Sequence, residues 1–282
     1  MGYSDSRTLR KKALAALRNH WQTALLVTFV AGLLSLIINA LQVRLDAVDT
    51  YGSQLGTGDL ASVWRAASGE VGSHWYITLL GIVSALVSPA LSLGLIHYYL
   101  TLHREHEAGA PLVFSRMNIF FKAFGQSFMV GIFIALWALL GIIPAIALLY
   151  AIRPVAWIVA FILLMCAMIP AIIAALRYAM APYLMADDPG IRVMESIRHS
   201  KEMMDGHKGR LLVLMLSFLG WYLLLAICIG VLNELLHTVG TALGMLLSLV
   251  VQVYVQSAIA AFYLEFKGDT PKEDVQAQGN VA

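Results

Sequence analysis

Charged side chains are scarce in this sequence. Only 13% of its 282 residues are charged, whereas 60% are hydrophobic. So few charges cannot cover the surface of a water-soluble globule of this size, and we therefore expect lipid to cover most of it. The net charge of +2 is small, and the basic residues are interleaved with acidic ones. Nucleic-acid binding is therefore not expected.

Cysteine is also rare. Cys166 and Cys228 are the two cysteines, and both lie inside apolar stretches. A thiol in such a stretch behaves as a small hydrophobic side chain. The sequence therefore predicts neither a disulfide framework nor thiol chemistry.

Catalytic and metal-binding patterns are missing as well. His103 and His106 are three residues apart, not four as in the helix of a zinc protease, and we interpret them as part of a solvated turn. The glycines around Lys208 follow no strand, which excludes a phosphate-binding loop. No set of serine, histidine and acid is spaced to meet inside an apolar span. We therefore expect a non-enzymatic protein with no metal and no cofactor.

Long charge-free runs are abundant. Each of six runs has 23 to 30 residues without a charged side chain, and about 20 apolar helical residues suffice to cross a bilayer. The predicted fold is all-α, with six transmembrane helices in one membrane domain, residues 1–266, and a disordered cytoplasmic tail, residues 267–282. The predicted spans are 21–43, 75–102, 124–152, 155–178, 211–233 and 239–264.

The basic residues lie almost entirely on alternate sides of these spans. With both termini on one side, that side holds 16 of the lysines and arginines and the opposite side holds three. Lysine and arginine are retained in the cytoplasm during insertion, so the pattern predicts cytoplasmic termini. The third and fourth spans are separated only by Arg153 and Pro154, where we expect a tight turn. The six spans then form three hairpins.

Three cytoplasmic segments before the odd-numbered spans have helical periodicity. Their apolar residues recur every three to four positions, which is typical of amphipathic helices lying in the membrane interface. We expect two or three such helices. The apolar residues are Leu9, Ala13, Ala16 and Leu17; Val113, Met117, Phe120 and Phe124; and Val193, Ile197 and Met204 with Ser200.

The even-numbered spans resemble one another at their cytoplasmic ends, where small residues precede an interfacial tyrosine. The tyrosines are Tyr98, Tyr178 and Tyr263. Two interpretations stay open, because apolar sequences resemble one another by composition alone. The first is a pseudo-threefold repeat of an interfacial helix plus a hairpin, and the second is chance similarity.

Specific residue order appears in the last third of the chain. The run from Ile169 to Pro189, the run from Ser200 to Trp221 and the triplet Ala261 to Tyr263 resemble a family of bacterial integral membrane proteins known as domain of unknown function 975. The opening residues from Arg7 to Trp21 are similar to that family too. The resemblance implies a multi-pass protein of the bacterial plasma (inner) membrane. The Pro-Tyr pair that the family usually carries before its last helix is absent from residues 240–246.

Three polar residues inside apolar spans are candidates for an intramembrane polar site. Arg177 has apolar sequence on both sides, and Gln252 and Gln256 lie one turn apart in the sixth span. A charge inside a membrane often marks a transport or binding site. The alternatives are that Arg177 extends to the interface and that the two amides join neighbouring helices.

Four basic residues before the fifth span are candidates for contacts with lipid head groups: Arg198, Lys201, Lys208 and Arg210. We therefore expect a protein of the bacterial envelope that binds membrane lipids or a partner, with a role in membrane or envelope homeostasis. A homo-oligomer or a membrane partner protein stays open. The alternative is a transporter or exporter of a small amphiphile or lipid.

Overall fold

The regular structure of the described residues is entirely helical. The computed structural model describes residues 6–33, 37, 75–151, 157–236 and 238–268. Two short 3-10 turns, Ala110–Phe114 and Met117–Ile119, lie between α3 and α4. The helices are α1 Ser6–Leu17, α2 Trp21–Leu33, α3 Trp75–Glu105, α4 Phe120–Ala151, α5 Trp157–Tyr178, α6 Ala181–Asp187, α7 Val193–Met203, α8 Lys208–Leu236 and α9 Thr238–Lys267. The predicted all-α class is confirmed.

Among the described residues, five helical stretches are long and apolar enough to cross a membrane. They lie in α3, in α4 with the turns before it, across the end of α5 and α6, in α8, and in α9. The chain therefore has the composition of a multi-pass membrane protein. In the first predicted span, 21–43, the structure describes an apolar helix from Trp21 to Leu33. The rest of that span apart from Ile37, the predicted turn at Arg153 and Pro154, and the predicted tail beyond Gly268 lie outside the described residues.

The buried core lies at one end of the helices. It takes in the carboxyl-terminal halves of α3 and α9, the ends of α5 and α6, the starts of α2, α4 and α8, and one side of α1. We call this end the packed end, defined by core residues Leu17, Ala24, Leu100, Met185, Leu211 and Phe262. Away from it, α4 and α8 carry many exposed large apolar side chains. Lipid would cover these side chains in a membrane.

The apolar stretches differ in how much the protein itself covers them. In one 18-residue apolar window of each stretch, 39% of the residues are buried for α3, 44% for the end of α5 and α6, and 33% for α9, against 6% for α4 and 11% for α8. The helix α4 packs on α5, and α8 packs on α9. Each poorly covered helix thus lies beside a well-covered one, so α4 and α8 form the outer layer.

The buried residues of α1 match the helical spacing of its apolar residues. Leu9, Ala13 and Leu17 are buried at positions i, i+4 and i+8, whereas Lys11 and Arg18 are exposed. Its buried side packs on α9, where the Ser257 hydroxyl lies 3.4 Å from the carbonyl oxygen of Ala13. The side of α1 that carries Leu9, Ala13 and Leu17 therefore packs on the protein core.

The segment before α4 differs from the predicted helical periodicity. Residues 110–119 contain the two 3-10 turns rather than one α-helix, and Met117 is exposed while Val113 is buried. The reason is a close approach of two backbones. A Cβ on Gly94 of α3 would lie 1.7 Å from the carbonyl oxygen of Val113. Only glycine admits a turn pressed against the helix in this way.

Ser200 closes a break between α5 and α6. The two helices are separated at Ala179 and Met180, where backbone groups lose their helical partners. The Ser200 hydroxyl of α7 donates to the carbonyl oxygen of Arg177 at 3.0 Å and accepts from the backbone N–H of Met180 at 3.2 Å. One buried hydroxyl therefore satisfies both sides of the break and holds α7 against it.

Candidate functional site

Asp187, the last residue of α6, is the centre of a buried polar cluster at the packed end. Its side chain is 7% exposed. Arg104 of α3 donates to both carboxylate oxygens, at 2.6 and 3.1 Å, and the Tyr263 hydroxyl of α9 donates at 2.9 Å. Lys267, at the end of α9, pairs with the same carboxylate. A carboxylate removed from water is stable only when it is paired in this way.

Side chains on one face of α9 reach α6 beside this cluster. Gln256, Tyr263 and Lys267 share that face, because they are separated by seven and four residues. Gln256 accepts from the Tyr183 hydroxyl at 3.4 Å, and the rings of Tyr183 and Tyr263 lie 5.7 Å apart. Tyr183 lies one turn before Asp187 on α6. Side-chain contacts therefore connect Gln256, through Tyr183 and Tyr263, to Asp187.

His97 and Arg116 lie beside the cluster. His97 lies two turns before Arg104 on α3 and so shares its face. Residues 110–119, which contain both 3-10 turns, are called the 3-10 segment below. The guanidinium of Arg116, between the two turns, lies 3.1 Å from Nδ1 of His97. The carboxylate of Asp187 acts electrostatically on both side chains. Four basic side chains, Arg104, Lys267, His97 and Arg116, thus surround one buried acid.

His103 has a different place from the one predicted. It is buried at 7% exposure, and its Nε2 lies 3.0 Å from both the carbonyl and the hydroxyl oxygen of Ser257. The solvated turn begins only at Glu105, where the side chains become exposed. The interpretation of His103 as part of that turn was therefore wrong, because the last turn of α3 extends into the core.

Arg177 lies at the end of α5, next to the break that Ser200 closes. Its residue is partly buried, and its Nε is buried without a hydrogen-bond partner among the described residues. No hydrogen bond or ion pair joins Arg177 to Gln252 or Gln256 in the part of the chain that the structure describes. The candidate intramembrane residues therefore do not form one bonded group.

The two glutamines have different surroundings. Gln256 is partly buried and bonded to Tyr183, as expected of an amide that joins helices, whereas Gln252 is exposed. Gln252 lies one turn above Gln256 on the same face of α9. Gln252 therefore continues the polar face of α9 by one turn, on the side of Gln256 away from Asp187.

The four candidate head-group contacts fall into two pairs. Arg198 and Lys201 of α7 are exposed, and Arg198 lies 3.9 Å from Glu202. Lys208 and Arg210, at the start of α8, are about 30% exposed and lie near Asp205 and Glu265, at 3.3 and 3.6 Å. Arg210 also lies over the ring of Phe266, 5.3 Å from its centroid. The first pair is thus the more accessible to a lipid phosphate.

Sequence reasoning missed the central cluster of Asp187, Arg104 and Tyr263. Each of these residues lies at the end of an apolar run, where a charge or tyrosine normally indicates only the membrane interface. One signal was available: Asp187 belongs to the residue order that the family resemblance highlighted. Within the described ranges, no group of three or more histidine, cysteine or acidic residues is placed to hold a metal ion.

Comparisons with known proteins place the chain in a family. No curated protein and no solved structure matches it at a significant level. A family model described as protein of unknown function (DUF975) matches residues 1–270. This match covers nearly the whole chain, including every helix described above, and the protein therefore belongs to the DUF975 family.

Proposed function

We propose that this protein is a non-enzymatic integral membrane protein of the bacterial plasma membrane. Its basic packed end faces the cytoplasm and binds the head groups of anionic lipids. We assign it a role in membrane or envelope homeostasis. The proposal includes six spans in three hairpins, with both termini in the cytoplasm.

The exposed basic side of α1 carries this proposal. Residues 6–33 contain no acidic residue, while α1 and the turn after it contain Arg7, Arg10, Lys11, Lys12 and Arg18. The apolar side of α1 is occupied by the protein core, so the helix is held with Arg7, Lys11 and Arg18 exposed. Each basic residue near an anionic membrane surface contributes about 1 kcal/mol of attraction.

Cations of α7 add to this surface. Arg198 and Lys201 are exposed, and the ion pair of Arg198 with Glu202 lies at the solvent-exposed surface, where such pairs contribute only about 0–1 kcal/mol. A lipid phosphate therefore displaces Glu202 at little cost.

The packing of the long helices supports the repeated hairpin arrangement. In each of two described pairs, α4 with α5 and α8 with α9, an outer helix packs on a well-covered one.

The test uses the full chain in lipid nanodiscs, with phosphatidylglycerol diluted into phosphatidylcholine. The variant Arg7→Gln, Lys11→Gln, Arg198→Gln, Lys201→Gln removes four exposed cations. We expect it to bind several-fold less phosphatidylglycerol, measured by native mass spectrometry of the lipids that leave the disc with the protein.

The matched control is Glu107→Gln, Glu202→Gln, which removes two exposed acids at the same end. This control should bind as much phosphatidylglycerol as the unmodified chain, or more. Equal phosphatidylglycerol binding by the four-cation variant and the unmodified chain would overturn the proposal. So would equal loss in the control, because it would point to general damage.

A second candidate function is the transport of a small amphiphile, and Gln252 favours it. This amide is exposed near the middle of α9 and has no hydrogen-bond partner among the described residues. An unpaired amide in lipid costs free energy, so it is expected to meet a substrate or a neighbouring chain. Flux of a fluorescent lipid across proteoliposomes that Gln252→Leu abolishes would support transport; no flux with the unmodified chain would exclude it.

A further inference from the structure

His97 and Arg116 have a fixed hydrogen-bond arrangement. An arginine side chain only donates, so the 3.1 Å contact between the Arg116 guanidinium and Nδ1 of His97 makes that nitrogen the acceptor. In the neutral imidazole the proton then lies on Nε2. His97 therefore presents one N–H donor, and no described residue accepts from it.

Arg116 also has an unused donor. Its Nε is buried and has no hydrogen-bond partner among the described residues. A buried donor without an acceptor is destabilising, so such a group in a native protein indicates a missing partner. Two N–H groups of adjacent side chains, one of them cationic, thus lack an acceptor.

The nearby carboxylates do not supply that acceptor. Asp187 is occupied by Arg104, Tyr263 and Lys267. Asp188 accepts from the backbone N–H of Gly190 at 2.8 Å. Both acids act on Arg116 only through longer-range electrostatic attraction, and no ion pair joins either one to it in the described part of the chain. The acceptor therefore has to come from outside the described residues.

The surroundings of Arg116 favour an amphiphilic anion. The same segment exposes large apolar side chains: Phe114 at 55%, Met117 at 37% and Phe121 at 83%. Exposed aromatic side chains next to an arginine are typical of the boundary between lipid tails and head groups. Exposed apolar side chains therefore lie beside the unpaired N–H donor of Arg116.

We propose that His97 and Arg116 form a binding site for a phosphate group, which an anionic phospholipid head group supplies. The Nε–H of Arg116 and the Nε2–H of His97 donate to its oxygens. Phe114 and Phe121 hold the segment at the membrane boundary. The lipid source of the phosphate rests on the proposed function, whereas the site itself does not.

The experiment titrates the purified full chain, in a neutral detergent, with phosphatidylglycerol and separately with inorganic phosphate. Bound ligand is counted by native mass spectrometry. Arg116→Gln removes the charge and Nε–H, and Arg116→Lys keeps the charge without the planar donors. We expect about a tenfold loss of affinity for phosphatidylglycerol in Arg116→Gln and a smaller loss in Arg116→Lys, as for a charge-assisted contact. His97→Leu should also bind less tightly.

The matched control is Arg198→Gln, Lys201→Gln, which leaves the His97 and Arg116 site intact. Loss of the tightest lipid in the Arg116 variants but not in this control supports the inference. Unchanged binding in Arg116→Gln and His97→Leu overturns the inference, even if the control loses lipid and the proposed function stands. Equally tight binding of inorganic phosphate, lost in Arg116→Gln, supports the site and overturns the lipid source. The thermal midpoint of each variant in phosphatidylcholine shows whether it is folded. If Arg116→Gln is unfolded, the affinity of Arg116→Lys for phosphatidylglycerol decides the result.

Discussion

Arg104 of α3 holds Asp187 of α6 through two hydrogen bonds, 2.6 and 3.1 Å long, across 83 positions of sequence. The carboxylate is buried, whereas the arginine keeps 30% of its side chain exposed. A planar guanidinium fits a carboxylate in this two-bond geometry, which lysine cannot reproduce. The contact fixes α6 to α3 at the packed end, and Tyr263 and Lys267 bring α9 to the same point.

We expect Asp187→Asn to destabilise the protein, because it leaves Arg104 and Lys267 facing a neutral amide. Breaking a fully buried pair costs about 3–5 kcal/mol, and the partial exposure of both cations reduces this to roughly 2 kcal/mol. The measurement is reversible unfolding in mixed micelles of sodium dodecyl sulfate and a neutral detergent.

Asp188→Asn is the matched control for this change. Asp188 is the next residue, but it is exposed, and its side chain accepts a hydrogen bond from the backbone N–H of Gly190. The side-chain oxygen of an asparagine can accept the same bond. Asp188→Asn should leave the free energy of unfolding within about 0.5 kcal/mol of the unmodified value. Equal effects of the two substitutions would contradict the assigned role of Asp187.

Gly94→Ala tests the close approach of α3 to the 3-10 segment. The added methyl would overlap the carbonyl oxygen of Val113, and backbone has to move to relieve the overlap. We expect a loss of about 1–3 kcal/mol in the free energy of unfolding. Gly81→Ala on the same helix meets nothing within 4 Å and should be neutral or slightly stabilising. Equal stability of the two variants would show that the segment does not pack on Gly94.

The sequence predicted the features that depend on local periodicity. Long apolar runs give long helices, and the spacing of Leu9, Ala13 and Leu17 gives the buried side of α1. A hydrophobic pattern does not show which charged residues contact one another in the folded protein. Arg104 and Asp187 each look like an interfacial charge, and only the packing of α3 against α6 turns them into a buried pair.

The 3-10 segment illustrates the same limit. The spacing of Val113, Met117 and Phe120 fits a helix, but the carbonyl of Val113 packs on Gly94, a contact between distant residues that local spacing does not contain. The position of Arg116 beside His97 depends on that contact. The proposed phosphate site was therefore not accessible to sequence reasoning.

Ser200→Ala should destabilise the junction of α5 and α6. It leaves the carbonyl of Arg177 and the N–H of Met180 without the hydroxyl, at a cost of about 1–3 kcal/mol. Ser127→Ala, at an exposed position of α4, should change the stability little. Hydrogen exchange adds a local readout: the amide of Met180 should lose protection in Ser200→Ala. Retained protection there would contradict the bridging role.

Cysteine labelling tests the number of spans and their orientation. The helix α1 packs on α9 at the packed end, where α3 also ends. If α3 crosses the membrane, the chain has to cross once between α1 and the start of α3. We therefore expect Lys11 and Glu107 to lie on the cytoplasmic side and Ser53 on the opposite side.

In a chain carrying Cys166→Ala and Cys228→Ala, single cysteines are placed at these three positions. A membrane-impermeant maleimide added to intact cells should label Ser53→Cys alone, and permeabilised cells should show label at Lys11→Cys and Glu107→Cys as well. Label at both Lys11→Cys and Ser53→Cys in intact cells would mean that the first apolar segment does not cross and that five spans remain. Label at Lys11→Cys and Glu107→Cys but not at Ser53→Cys would reverse the orientation. That result would remove the basic packed end from the cytoplasmic leaflet, where anionic lipids are proposed to bind it.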